Sequence, residues 1–345
     1  MHTWPFSYCL SVICFILVSC SQEKEKPGLM ELTGSTMGTN YTVKVSNLPP
    51  GFTPASIHSE IETILNRING RMSSYQEHSE LSSFNRAKTT DWIPVSSEMV
   101  FVVEAALQVS RLTDGAFDIT VGPLVNLWGF GPPVPETDFP TDEMTQKILQ
   151  TVGYQHIFIQ NTPSALKKDH PDVQIDLSAI AKGYAVDQVA EYLESLELHD
   201  YLVEIGGELR GKGINSQGRT WKVAIEKPDP SQRAIHGVVQ LQNMGMATSG
   251  DYRNFFEKNG QRYSHTIDPR TGRPITHNLA SVTVLSDSTM QADALATGLM
   301  VLGPEAGFQL AEQEKLSALF ITKETGGFHE KATLQLRLSQ KMVQT

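Results

Sequence analysis

Two oxygen-bearing side chains stand one helical turn apart in the last third of the chain. Asp293 and Thr297 are four residues apart in a segment with helical periodicity, so their carboxylate and hydroxyl share one helix face. Such oxygen ligands suit Mg²⁺ or Ca²⁺. An acidic residue at this place is also typical of an ordinary helix start. The pair alone therefore leaves a metal site and a plain helix terminus both open.

A second candidate is the segment DLSAIAKG at 176–183. Asp176 ends a β-type run, and a helix is predicted to begin at Ser178. Free backbone amides and a positive dipole end would then face an anion. Lys182, in the predicted first turn, can add a positive charge for a phosphate. Because no glycine-rich loop precedes it, a capped helix without a ligand explains the segment equally well.

The segment RYSHTIDPRTGRP at 262–274 is dense in polar groups. The imidazole of His265 belongs to the side-chain type whose ordinary pKa, about 6.5, suits proton transfer near neutral pH. Asp268 can orient that ring, and the neighbouring arginines can hold phosphate. A hairpin turn with solvated charges is the alternative, although it does not explain why a histidine precedes the turn.

Glycine and aromatic residues mark three further segments. Gly206-Gly207 and Met37-Gly38 permit close approach of a ligand to the backbone, but they also fit simple turns. The run DGAFDITVGPLVNLWGFG at 114–131 mixes aromatic and small side chains. It can line a pocket for a planar ring, or it can pack the core.

The elements that must position these residues alternate irregularly, which predicts an α+β fold rather than a regular parallel array. Apolar spacing predicts helices over 57–68, with Asn69-Gly70 as the stop, and over 97–113, from Ser178 through Leu193, 289–302 and 305–314. Strands are predicted at 41–45, 156–159, 173–177, 201–205, 222–225, 238–241, 280–285 and 318–321. The Pro-rich and acidic stretch 131–142 is predicted to be a surface loop.

Composition excludes several classes of protein. The 345 residues carry 28 Lys and Arg against 38 Asp and Glu, a formal charge of −10. A nucleic-acid-binding protein would usually present a basic face, so none is expected here. All three cysteines, Cys9, Cys14 and Cys20, lie in the first twenty residues. The rest of the chain therefore has neither a disulfide nor a thiolate metal site.

The N-terminal segment is typical of a processed leader. Residues 6–19 are apolar and uncharged, too short to span a bilayer. Leu17-Val18-Ser19-Cys20 resembles a bacterial lipobox, which predicts a signal peptide at 1–19, a lipidated Cys20, a tether at 20–30 and one domain at 31–340. No Lys or Arg precedes the apolar core, and a buried hydrophobic segment is the alternative. The lipobox predicts a membrane-anchored protein facing the periplasm, with Ser21 favouring the outer membrane and the inner one left open.

Taken in order, these segments resemble the ApbE family of FAD:protein FMN transferases. The resemblance rests on stretches between about residues 30 and 303: MGT at 37–39 with Tyr41, SSY with SEL at 73–81, AFDITVGPLVNLWGFG, DLSAIAKGYAVD, VEIGGELR, SGDYRNFF, SHTIDPRTGRPI and ADALATGLMVLG. It implies a T-fold-like α+β domain that binds FAD with Mg²⁺ at the pyrophosphate. The implied reaction moves FMN from FAD to a threonine hydroxyl of an acceptor protein and releases AMP.

The resemblance also implies roles for individual residues. The implied contacts to the flavin and ribityl group are Met37, Tyr75, Ala116, Phe117 and Asp118. The implied contacts to the nucleotide are Asp176 and Lys182. The implied metal ligands are Asp293, Thr297 and the backbone carbonyl of Ala179. His265 is implied as a further contact to the cofactor and as the proton acceptor or the group that positions the acceptor, with Asp268 as its possible orienter.

Two other functions fit the same site. An FAD pyrophosphatase would use water in place of threonine and give FMN and AMP, and a lipid-anchored storage protein would hold FAD without reaction. The implied acceptor carries a motif like Asp-x-x-Thr-Gly-Ala-Thr, as in membrane redox-pump subunits. The acceptor's identity and the oligomeric state do not follow from the sequence.

Overall fold

A computed structural model describes residues 28–49, 51–131, 140–229, 234–251, 255–258 and 261–339 of the chain. The predicted signal peptide, Cys20 and most of the tether lie outside the described residues, as does most of the predicted loop 131–142. Among the described residues, no helix has both the length and the apolar character needed to cross a bilayer.

The described chain contains seventeen strands. They are β1 Leu29–Thr36, β2 Thr39–Ser46, β3 Ile93–Pro94, β4 Ile157–Gln160, β5 Ala165–Lys168, β6 Tyr201–Ile205, β7 Glu208–Lys212, β8 Trp221–Glu226, β9 Ile235–Leu241, β10 Met244–Gly250, β11 Phe255–Lys258, β12 Gln261–Ser264, β13 Ile267–Asp268, β14 Arg273–Pro274, β15 Leu279–Ser286, β16 Ser317–Glu324 and β17 Gly327–Ala332.

Eight α-helices accompany the strands in the described chain. They are α1 Pro54–Met72, α2 Glu80–Arg86, α3 Ser97–Leu112, α4 Gly122–Leu127, α5 Asp142–Leu149, α6 Ala181–Ser195, α7 Thr289–Gln313 and α8 Leu334–Ser339.

One large antiparallel sheet organises the domain. Its eight strands run in the order β1-β2-β6-β7-β10-β15-β16-β17, and each neighbouring pair is antiparallel. Alternate residues of β6 face opposite sides: Tyr201, Val203 and Ile205 are buried in the larger core, whereas Leu202 packs against the smaller one. Helices and antiparallel strands in one main domain confirm the predicted α+β class.

Helices α1, α3, α6 and α7 share the larger core with one face of the sheet. The spacing of Ile57, Ile61, Ile64, Leu65 and Ile68 buries one stripe of α1, as predicted from the sequence. The other face is covered by the β8–β9 hairpin and α8, whose Trp221, Leu241 and Leu336 form the smaller core. The end of α1, the start of α6 and the middle of the first segment of α7 contribute residues to the lining of the candidate site.

Three local predictions from the sequence are wrong. Helix α1 continues past Asn69-Gly70 to Met72, because burial of Met72 in the core stabilises the additional helical residues. Residues 173–177 are extended but not a strand, since the backbone of Ile175 bonds both ways to the side chain of Asn85. Helix α6 begins at Ala181 rather than at Ser178.

Helix α7 carries the two predicted C-terminal helices in one element. Gly303 has φ 85° and ψ −178°, and Pro304 follows it, so the helix breaks there as the sequence pattern predicts. The first segment contains Asp293 and Thr297, and it is packed against α6 and against β10 and β15 of the sheet.

Candidate active site

A single cleft of about 1300 Å³ brings the predicted residues together. This volume exceeds the range of about 300–1,000 Å³ that is usual for small-molecule sites. The predicted residues that line it are Met37, Tyr75, Ala116, Phe117, Asp118, Asp176, Ala179, Lys182, His265, Asp293 and Thr297. Asp268 is absent from this lining. Elements far apart in the sequence thus converge on one site, while the ligand roles themselves stay predictions.

Met37 enters the cleft from a strained turn. Thr36 pairs with Thr39 across the β1–β2 hairpin, so Met37 and Gly38 form its two-residue loop. Both have positive φ, 50° and 72°, as a type I′ turn requires. Methionine rarely adopts this conformation, and such strain is characteristic of functional positions. Tyr75, whose side chain is largely exposed, stands at the same wall.

The wall at Ala116, Phe117 and Asp118 is held by its own buried carboxylate. Oδ1 of Asp118 accepts from the backbone N–H and the hydroxyl of Thr120, at 2.8 and 2.6 Å. Oδ2 accepts from the N–H of Tyr154 at 2.6 Å. Burial raises the pKa of Asp118 although these hydrogen bonds oppose the shift. The structure therefore gives Asp118 a loop-organising role, and its flavin contact stays a prediction.

The loop before α6 contributes Asp176, Ser178 and Ala179 to the lining of the cleft. Oδ1 of Asp176 accepts from the N–H of Ser178 at 2.7 Å, which tightens a turn over residues 178–180. Ala179 lies in that turn and lines the cleft. Because of this turn, α6 begins at Ala181. The backbone amides of residues 178–180, which were predicted to face an anion from a first helical turn, therefore lie in the turn before the helix.

Lys182 lies between two buried carboxylates. Its Nζ is 3.2 Å from Oε1 of Glu208 and 3.8 Å from Oδ2 of Asp293. Burial opposes the charge of Lys182, but the two carboxylates outweigh it and raise the pKa of Lys182 above its usual range. Burial likewise raises the pKa of Asp293 and of Glu208, with Lys182 opposing both shifts.

The start of α7 is anchored by Asp187, a buried residue of α6. Its carboxylate accepts from the hydroxyl of Ser288 at 2.8 Å and from the N–H groups of Thr289 and Met290 at 3.0 Å each. Arg210 pairs with the same carboxylate at 2.8 Å. A negative charge at a helix N-terminus is stabilising. Asp187 therefore fixes the turn of α7 that precedes Asp293.

His265 follows β12 and stands beside a row of aromatic rings. The ring of Phe130 meets His265 edge-on at 6.2 Å between centroids. Phe130 stacks on Phe256 at 5.3 Å, Phe256 on Tyr263 at 5.2 Å, and Tyr263 on Trp128 at 5.9 Å. Such contacts between rings add stability beyond simple burial. They hold the histidine-bearing segment against the wall of the cleft.

Asp268 forms an ion pair with Arg270. Its two oxygens accept from Nε and Nη2 of Arg270 at 2.9 Å each, and Oδ1 also accepts from the backbone N–H of Arg270 at 3.0 Å. This bidentate pair closes the turn between β13 and β14. The carboxylate is therefore engaged in the turn, and its proposed role as an orienter of His265 stays a prediction.

Three oxygen donors among the residues of the cleft lining suit a hard cation. A carboxylate from Asp293, a hydroxyl from Thr297 and a carbonyl from Ala179 are all oxygen ligands, which is the set that Mg²⁺ prefers. Within the described ranges, no group of three or more His, Cys, Asp or Glu side chains forms a potential metal cluster. Mg²⁺ at Asp293 would therefore take its remaining ligands from substrate oxygens or water.

Sequence reasoning assigned no role to Glu208 or Asp187. Glu208 stands in the quoted stretch VEIGGELR, and Asp187 ends DLSAIAKGYAVD. An acidic residue directly after Gly206-Gly207, and another on the apolar face of α6, are the signals that could have marked them. Their partners come from strands and helices distant in the chain, so their importance emerges only in the folded domain.

The fold and the cleft define a class: α+β proteins with one large antiparallel sheet and a large cleft lined by polar residues from elements distant in the chain. The ApbE family model matches residues 37–320 of this chain. The chain belongs to the ApbE family.

Curated relatives and a solved structure agree with this membership. The FAD:protein FMN transferase of Vibrio cholerae serotype O1 is 45% identical over 318 residues, which cover 92% of this chain and 94% of the relative. That of Haemophilus influenzae is 45% identical over 324 residues, covering 92% of each. The structure of the flavin transferase ApbE from Vibrio cholerae has a TM-score of 0.84 at 44% identity, covering 90% and 98%. The predicted family and fold are therefore confirmed.

Proposed function

We propose that this chain is a Mg²⁺-dependent transferase that moves the FMN half of FAD to a threonine hydroxyl of an acceptor protein and releases AMP. The relatives named above are FAD:protein FMN transferases. The observation that carries the proposal is the convergence on one cleft of Asp293, Thr297, Lys182 and His265 with the flavin-side wall at 116–118.

The proposed reaction replaces the phosphoanhydride bond of FAD by a phosphoester bond to threonine. The threonine oxygen attacks the phosphorus on the FMN side of the pyrophosphate. A new P–O bond forms there as the bond to the bridging oxygen breaks, and that electron pair leaves with AMP. The threonine proton goes to the imidazole of His265. Such a transfer needs positioning and charge neutralisation more than covalent participation by the enzyme.

The residues at the metal end supply the neutralisation. Asp293, Thr297 and the carbonyl of Ala179 are proposed to hold Mg²⁺, which when bound withdraws charge from the pyrophosphate oxygens. Lys182 adds a cationic group beside them, paired with Glu208 at 3.2 Å. Met37, Tyr75 and the wall at 116–118 are proposed to receive the flavin and ribityl group, and Asp176 to contact the nucleotide.

Location and acceptor are further parts of the proposal. The lipobox at 17–20 supports a chain anchored through lipid on Cys20 and facing the periplasm, with the inner and outer membranes both open. The proposed acceptor is a protein segment with a threonine-containing motif, such as one from a membrane redox-pump subunit. An acceptor on the same side of the membrane would be reached by a tethered enzyme.

The test is a product analysis. The purified chain is incubated with FAD, Mg²⁺ and an acceptor domain, with a Thr→Ala acceptor as the matched control. We expect flavin fluorescence on the denatured acceptor, absent from the control, and one AMP released per label. Free FMN and AMP as the dominant products would indicate the pyrophosphatase instead. FAD that stays bound and intact in the presence of Mg²⁺ would indicate storage.

A further inference from the structure

Glu208 is a buried carboxylate in the cleft wall with one oxygen unsatisfied. The residue begins β7 and is 5% exposed. Oε1 lies 3.2 Å from Nζ of Lys182. Oε2 is buried and has no hydrogen-bond partner among the residues that the structure describes. A buried polar atom without a partner costs free energy, so its retention in a ligand cleft calls for a functional reason.

The ammonium group of Lys182 is a potential hydrogen-bond donor to Oε2 of Glu208. Its ammonium carries three donors, and in this structure it is shared between Glu208 at 3.2 Å and Asp293 at 3.8 Å. Asp293 is also the carboxylate proposed to hold a divalent cation. An ammonium and a divalent cation on the same carboxylate repel each other strongly in a low-dielectric site. The ammonium of Lys182 must therefore move away from Asp293 when the cation binds.

We propose that Glu208 is a positioning residue that draws Lys182 away from Asp293 when a divalent cation binds. Oε2 then accepts a second hydrogen bond from Nζ of Lys182, so both Glu208 oxygens hold the ammonium. This inference rests on the proposed metal role of Asp293. Lys182 stays in the cleft as a cationic group for the pyrophosphate, while Asp293 is released for the metal.

The charges of the three groups agree with this arrangement. With both carboxylates ionised and Lys182 protonated, the three groups sum to −1, and a divalent cation brings the cluster to +1, facing an anionic pyrophosphate. Without the Glu208 charge, Lys182 would have Asp293 as its carboxylate partner in this cluster. The cation would then compete with an ion pair for its ligand.

Metal affinity of the chain without FAD tests the inference apart from activity. Mn²⁺ binding is followed by electron paramagnetic resonance in the unsubstituted chain and in variants. We expect Glu208→Gln to weaken Mn²⁺ binding by about 10–100-fold, the usual effect of changing a group that supports a metal ligand. The double variant Lys182→Met/Glu208→Gln should recover affinity, because the competing ammonium is gone.

A matched control removes a different charge from the same cleft. Glu204 lines the cleft, and its Oε1 accepts from the N–H of Gly207 at 2.8 Å, a bond that glutamine keeps. Glu204→Gln should leave Mn²⁺ affinity within about threefold, since the ion pairs of Lys182 in the described chain are with Glu208 and Asp293. Thermal melting of each variant shows whether the fold persists.

The outcomes separate the inference from the proposed function. If the unsubstituted chain binds Mn²⁺ no better than Asp293→Asn, the metal site itself is wrong and the inference falls with it. If that site is present but Glu208→Gln leaves its affinity unchanged, only the inference is overturned. Weakened binding in Glu208→Gln without recovery in the double variant also overturns it, since Glu208 would then support the fold rather than hold Lys182.

Discussion

The backbone N–H of Gly183 donates to Oδ2 of Asp293 at 3.0 Å. One helix thus orients the proposed metal ligand of another, because Gly183 lies in the first turn of α6 and Asp293 in α7. The contact needs a glycine: a Cβ at position 183 would lie 2.4 Å from the carbonyl oxygen of Thr289. Close packing of these two helices is therefore a condition for the geometry of the site.

Replacing Gly183 tests this contact. Gly183→Ala forces the two helices apart, and we expect a loss of about 1–3 kcal/mol in the free energy of unfolding together with loss of transfer. Gly70→Ala is the matched control: Gly70 lies inside α1 with open space around its Cβ position, so it should stabilise the fold by about 0.5–1 kcal/mol. Denaturant unfolding measures both. Equal effects at the two sites would contradict the close-packing argument.

Asp187 should matter for stability although it is remote from the reacting atoms. Asp187→Asn weakens the bonds to the start of α7 and the pair with Arg210, and we expect a loss of about 2–3 kcal/mol in the free energy of unfolding. Asp142→Asn is the control, because the 2.6 Å pair between Asp142 and Arg273 is largely exposed. Urea titration compares them. A difference below about 1 kcal/mol would argue against the anchor.

His265 is proposed to take the proton of the acceptor threonine. Replacing it by asparagine should lower kcat by about 100-fold or more, a larger effect than the loss of FAD affinity. The unsubstituted chain should lose activity as the pH falls, because a protonated imidazole cannot accept a proton. Steady-state rates across pH check this. If the remaining activity of the variant fell with decreasing pH in the same way, another group would be the base.

Lys168 gives stability a pH dependence. This fully buried lysine donates to the carbonyls of Val173, Phe84 and Asn85 at 2.9, 3.4 and 3.4 Å. Burial lowers the pKa of Lys168 to about 8 from 10.5. The folded chain therefore binds fewer protons than the unfolded chain between these pH values, and this residue's contribution to stability rises as pH increases through that window.

The measurement is a comparison with Lys168→Met. Between pH 8 and 10, the unsubstituted chain should gain about 1–3 kcal/mol in free energy of unfolding relative to the variant. Groups that titrate elsewhere act on both proteins and cancel in the difference. A flat difference would mean that Lys168 keeps its ordinary pKa in the folded chain.

The sequence predicted the four longest helices and seven of the seventeen strands of the described chain, because the signals of these elements are local. The apolar stripe of α1, the Gly303-Pro304 break and the strand over 201–205 each depend on nearby residues. Residues 173–177 have the alternation of a strand, but their backbone pairs with Asn85 and Ile119. Local pattern cannot distinguish the two cases, since it reports burial rather than hydrogen-bond partners.

The sequence singled out most of the candidate residues that line the cleft, but it did not indicate their partners. The family resemblance supplied Asp293, Thr297 and Lys182, and the structure brings them to one cleft. It did not supply Glu208 or Asp187, whose partners come from elements distant in the chain. Asp268 is a predicted partner of His265 by proximity, and the sequence did not indicate its ion pair with Arg270. Contacts between segments that are distant in the chain can be identified only once the fold is known.

Mass spectrometry of the acceptor tests the central claim most directly. Peptides from an acceptor incubated with this chain and FAD are mapped with Mg²⁺ present and with a chelator added. We predict one FMN on a single threonine through a phosphoester bond, lost with chelator and lost with Asp293→Asn while that variant still melts cooperatively. An acceptor left unmodified beside accumulating FMN and AMP, or one labelled equally with chelator, would contradict the account.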